Sequence, residues 1–121
     1  MIKKSFYCLV FFLLAGCKEE NNIKVEQAIK YLNDEAVLFL DVRTQNEFKY
    51  DGSIKNSLLI PVNQLGKKLT MLEYYKDKKI IVYCKTGRRS KLATAFLKKN
   101  NFQAVTIQGG FLAWEKHSKL N

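Results

Sequence analysis

The 121 residues include one histidine, one proline and one tryptophan, and the 11 acidic residues are about half as numerous as the 21 basic ones. With His117 alone, a zinc site of the His/Cys kind has no second histidine, so neither a metal nor a cofactor is expected. Cysteine is nearly as scarce, and Cys8, Cys17 and Cys84 stand in three separate segments. No apolar run reaches the ~20 residues of a membrane-spanning helix. The run from Phe6 to Ala15 is half that length. The formal charge of +10 invites a nucleic-acid reading. But the lysines and arginines are scattered, with no basic stripe interleaved by aromatics. They read as solvated faces and as attraction for anionic substrates, and nucleic acid is not an expected partner.

What is present is enough apolar residue, 47%, for one compact core. The most informative stretch is Ile80-Ile81-Val82-Tyr83-Cys84-Lys85-Thr86-Gly87-Arg88-Arg89-Ser90. A β-branched run ends at a cysteine, a short loop follows, and Ser90 opens a helical pattern with Leu92, Ala93, Phe96 and Leu97 on one face. Ligands bind at the carboxyl ends of strands in open α/β sheets. Backbone N–H groups of the loop, the positive end of the following helix, and Arg88 and Arg89 all lower the cost of a thiolate and of an anion above it. Gly87 lets the loop curl without a Cβ clash. The alternative is an inert buried cysteine at a strand end.

Arg89 follows Cys84 after four intervening residues, and the sixth position is Ser90. The C-x5-R loop of cysteine phosphatases therefore does not match. Cys84 to Ser90 instead resembles the shorter active-site loop of the rhodanese (sulfurtransferase) family. Two further motifs agree in order. Asp41-Val42-Arg43 followed by Glu47-Phe48 resembles the signature after that family's second strand, and Gly109-Gly110 through Trp114 resembles its closing G-G-x-x-x-W. Between them, Gly52, Ile54, Ile60 and Pro61 match a G-H-I-x-G-A segment and the Ile-Pro beyond it. Ser53, Asn56 and Ser57 replace its His, Gly and Ala. Asn56 tolerates left-handed geometry, so the turn survives.

The resemblance implies an α/β, three-layer domain with a central, mainly parallel sheet flanked by helices. It implies a sulfurtransferase that moves sulfane sulfur from an anionic donor, thiosulfate or a persulfide, to a thiol or cyanide through a Cys84 persulfide. Lys85, Thr86, Gly87, Arg88 and Arg89 cradle the anion. Asp41, Arg43 and Ser90 support the loop, the first two by hydrogen bonds to it, although Arg43 also reads as a surface arginine. Trp114 fills the core, and His117 lies on the surface. The rival readings are a non-catalytic persulfide carrier, sensor or binding module on the same fold, and a cysteine phosphatase or arsenate reductase.

The chain begins with Lys3 and Lys4, the apolar run, and Leu14-Ala15-Gly16-Cys17. These resemble a bacterial lipoprotein signal over 1–16, in which Cys17 is lipidated and becomes the new N-terminus. Residues 17–22 form a polar tether, and Lys18-Glu19-Glu20 reads equally as a plain spacer or a surface-export signal. The domain occupies 23–121, so the mature chain has 105 residues, and loss of Lys3 and Lys4 lowers the charge from +10 to +8. Cys84 is then the only free thiol, and the location is the cell envelope, held to the membrane by lipid. Within the domain, a first helix carries Val25, Ala28, Ile29 and Leu32, and Ala36 to Leu40 form a strand. Thr44 and Glu47 cap a short helix. Leu65, Leu69 and Leu72 mark an amphipathic helix, Asn100-Asn101 close the helix after Cys84, and Ala104 to Ile107 form the last strand.

Overall fold

The computed structural model describes residues 21–120. The expected signal segment 1–16, with Cys8, and the expected lipidation site Cys17 lie outside the described residues. Five parallel strands form one sheet: β1 (Asn22–Ile23), β2 (Val37–Asp41), β3 (Leu58–Leu59), β4 (Lys79–Tyr83) and β5 (Gln103–Ile107), in the order β1-β5-β4-β2-β3. Among the described residues four α-helices accompany them: α1 (Val25–Ala28), α2 (Gln45–Tyr50), α3 (Arg88–Lys99) and α4 (Gly110–Leu120). The expected parallel sheet flanked by helices is the architecture found.

Alternation along the strands builds two cores. Leu38, Leu40, Ile80, Val82 and Cys84 face Ala93 and Leu97 of α3. Phe39, Ile81, Tyr83 and Ile107 face Val25 and Ala28 of α1 and Phe111 and Trp114 of α4. Trp114 meets Phe39 edge to face, with centroids 5.9 Å apart, as its core assignment requires. β4 lies at the centre, so its two faces are covered and its apolar run is continuous.

Several elements differ from the sequence reading. Pairing reaches one residue into the segment read as tether, because Asn22 is in register with Thr106. The first helix is a single α-turn continued by a 3₁₀ turn at Ile29–Tyr31. The Leu65, Leu69 and Leu72 pattern falls on a turn and a 3₁₀ segment: Leu65 follows the 3₁₀ turn Val62–Gln64, and Leu69 and Leu72 lie in Leu69–Tyr75. Leu65 and Leu72 are buried there, and Leu69 lies one 3₁₀ turn before Leu72, on its side of the helix. On α3 the buried face is Ser90, Ala93, Thr94 and Leu97, while Leu92 is 70% exposed. Apolar residues alone misplace that face, because two of its members carry hydroxyls. His117 is half-buried on α4.

The turns behave as their residues dictate. Thr44 and Glu47 form a reciprocal capping box at the start of α2. Asn56 adopts φ 63° and Asn101 φ 71°, the left-handed region that asparagine tolerates.

Candidate active site

Cys84 follows the last residue of β4 and has no exposed surface. Its Sγ receives the N–H of Gly87 at 3.1 Å and the N–H of Ser90 at 3.4 Å, and lies 3.5 Å from Ser90 Oγ. Gly87 reaches this geometry at φ 114°, a backbone region that L side chains rarely adopt. Burial pushes the thiol up. The hydroxyl and N–H of Ser90 and the N–H groups of Gly87 and Thr86 outweigh it, and the pKa falls below the ordinary cysteine value. These donors favour the ionised form of Cys84 over what its burial alone would allow.

The loop is held from behind by α4. Phe111 N–H donates to Cys84 O at 2.7 Å and Leu112 N–H to Lys85 O at 3.1 Å. Gly110 makes this approach possible, since a Cβ there would lie 2.5 Å from Lys85 O and 2.7 Å from Cys84 O.

Arg89 turns to Glu47 of α2, with two parallel bonds of 2.7 and 2.8 Å. This bidentate pair joins α2 to the first turn of α3. The Arg89 guanidinium also acts electrostatically on the Cys84 thiolate. Lys85, Thr86 and Arg88 are exposed around the loop. Lys85 and Arg88 form no ion pair among the described residues.

Asp41 and Arg43 are both buried, so the surface reading of Arg43 falls. The Asp41 carboxylate accepts Arg43 N–H, Nε and Nη2, the last at 2.7 Å. Arg43 Nη2 also donates to Gly52 O, and the guanidinium lies 4.4 Å from the Phe111 ring centroid. Burial opposes the Arg43 charge and Asp41 more than restores it. The described hydrogen bonds of this pair's side chains go to one another and to Gly52, not to residues 84–90. Support reaches the loop indirectly, through Phe111, whose N–H holds Cys84 O. Ser53 is exposed.

A rhodanese-like domain model matches residues 24–117. The chain belongs to the rhodanese-like domain family. A rhodanese-related protein from Thermoplasma volcanium is 34% identical, with a TM-score of 0.73, over 80% of this chain and 92% of that one. A rhodanese-like domain protein from Staphylococcus aureus is 29% identical, with a TM-score of 0.70, over 78% of this chain and 90% of that one. Among curated proteins, the tRNA uridine(34) hydroxylase of Cronobacter sakazakii is 35% identical over 102 residues, 80% of this chain and 29% of that protein. This rhodanese domain thus spans less than a third of such relatives.

Two participants escaped the sequence reading. Glu47 was visible only as a helix cap, though it stands in the same motif as Arg43. Thr106 of β5, 2.5 Å from Ser90 Oγ, carries no sequence signal at all.

Proposed function

We propose that the protein is a sulfurtransferase that carries sulfane sulfur on Cys84, and that it works at the bacterial cell envelope on a lipid attached to Cys17. The observation that supports the chemistry is the pair of backbone N–H groups, from Gly87 and Ser90, that converge on Cys84 Sγ. A thiolate so held attacks the outer sulfur of thiosulfate. A sulfur–sulfur bond to Cys84 forms, the bond inside thiosulfate breaks, and sulfite leaves with its electron pair. The same N–H groups then face the anionic persulfide. A thiol, or cyanide in vitro, removes the outer sulfur and returns the thiolate. The relatives named tRNA uridine(34) hydroxylase use a rhodanese domain within a chain over three times as long as the matched part, and their activity is not carried over to this one.

The test is the mass of the full-length chain before and after thiosulfate, alongside thiocyanate formed from added cyanide. Gain of one sulfur that disappears in Cys84→Ala, with turnover, is the expected result. Sulfur gain without turnover points to a carrier or sensor. No gain with thiosulfate or polysulfide removes the sulfur chemistry.

A further inference from the structure

We infer that Thr106 is a positioning residue for the Cys84 thiolate: by donating its hydroxyl proton to Ser90 Oγ, it orients the Ser90 hydroxyl and strengthens the bond that this hydroxyl gives to Sγ. The inference rests on the reading of Cys84 as a working thiolate and concerns a residue on a different element, β5. Ser90 Oγ has three neighbours within bonding reach: Gly87 O at 3.2 Å, Cys84 Sγ at 3.5 Å and Thr106 Oγ1 at 2.5 Å. Ser90 and Thr106 are both buried, so water does not complete their bonds.

A count of protons fixes the directions. Among the described residues the Thr106 hydroxyl has no hydrogen-bond acceptor other than Ser90 Oγ. Were Ser90 to donate to Thr106, the Thr106 proton would be buried without a partner, and the thiolate would lose its hydroxyl donor. With Thr106 donating, Ser90 directs its proton to Gly87 O while Cys84 is a thiol. It swings that proton to Sγ when the thiol ionises. Gly87 O loses nothing essential in the second state, because it still accepts Lys91 N–H at 3.0 Å. A donor into Ser90 Oγ also strengthens the bond that Ser90 gives.

The charged groups around the thiol are the same with or without this hydroxyl. Arg89 on α3 acts on the thiolate and is itself paired with Glu47 of α2. Lys85 and Arg88 belong to the loop. Asp41 at the end of β2 and Arg43 just after it neutralise one another. From β5 the contribution is Thr106, which has no charge.

The experiment is the pH dependence of Cys84 alkylation by iodoacetamide in the full-length chain. The thiolate displaces iodide, and the tryptic peptide Ile80–Lys85 reports the modified cysteine apart from Cys8 and Cys17. Thr106→Val is expected to raise the pH midpoint by about 0.2–0.5 unit, because Ser90 keeps its proton for Sγ and loses only the donor that strengthens that bond, and Thr106→Ser to restore it. Ser90→Ala/Thr106→Val is expected to show no rise beyond Ser90→Ala, because the first hydroxyl acts through the second. Thr106→Ala removes the same hydroxyl and carries the test if Thr106→Val does not fold. An unmoved midpoint in a folded variant, or shifts that add in full, overturns the inference. Alkylation needs no sulfur donor, so a displaced midpoint without thiosulfate loading would sink the sulfurtransferase reading and leave the Thr106 inference standing.

Discussion

Tyr83 precedes the nucleophile in the chain, yet its side chain lies in the opposite core. Its hydroxyl receives Ile54 N–H at 3.0 Å and lies 2.9 Å from Ser57 Oγ. Ser57 gives its own proton to Ile54 O at 2.7 Å, so the Tyr83 proton goes to Ser57. Burial pushes the Tyr83 pKa well up, which keeps the phenol neutral and able to donate. The sequence showed Tyr83 as a strand residue and Ser57 as a departure from the family's alanine. It did not show that the two meet, because 26 residues separate them and a hydroxyl pair leaves no periodic pattern. Tyr83→Phe removes one oxygen, leaves Ile54 N–H buried without an acceptor, and is expected to cost about 1–2 kcal/mol. Denaturant melts are the check, with sulfur loading of Cys84 retained. An unchanged midpoint of unfolding would mean that water replaces the phenol.

Where two elements meet, a single atom decides the geometry. α4 can lie against the Cys84 loop because Gly110 has no Cβ and sits at φ 62°. Gly110→Ala would drive a methyl into Lys85 O and Cys84 O, and is expected to cost roughly 3–5 kcal/mol from strain and overlap together. Its companion measurement is Cys84 alkylation in the protein that still folds, which should lose its low-pH reactivity. This contact was legible beforehand from the Gly109-Gly110 pair and the family's close. The join between α2 and α3 was not, since Glu47 reads first as the partner of Thr44. Glu47 is held at about pKa 2, against a usual 4.5, chiefly by Arg89; burial opposes the shift, and Thr44 adds to it. A folded-state pKa below the unfolded one means stability that is complete above pH ~4.5 and is lost as the pH falls toward 2. The pair is partly exposed, with side chains at 33% and 20%, so solvent screening leaves about 1–2 kcal/mol of that effect. Glu47→Gln keeps an acceptor for Thr44 and loses the charge. Its stability deficit should be full at pH 7 and vanish by pH ~2. A deficit constant across that window would assign the loss to the cap instead.

Across the molecule, the sheet and the place of Cys84 at the end of its central strand were readable, because a fully buried parallel sheet forces continuous apolar strands with loops at their carboxyl ends. The buried face of α3 was not readable from apolar spacing, since Ser90 and Thr94 occupy it. Charge is the remaining property of this scale. The expected mature chain carries +8, yet the structure divides its cations unequally around the nucleophile. Arg43 is consumed by Asp41 and Arg89 by Glu47. Lys85 and Arg88 stand exposed beside Cys84 with no carboxylate paired to them among the described residues. On the proposed reading, selection of an anionic donor falls to these two, assisted by the overall field. Two alkylating agents separate charge from reactivity: iodoacetate is an anion and iodoacetamide is neutral. The ratio of their rates at Cys84 should fall several-fold as salt rises from about 0.05 to about 0.5 M, because the Debye length shrinks from roughly 14 Å to roughly 4 Å. Lys85→Glu should lower the low-salt ratio several-fold and leave the iodoacetamide rate within about twofold. A ratio indifferent to both salt and Lys85→Glu would place anion selection in the backbone N–H groups alone, whose dipoles act at contact distance and are little screened by salt.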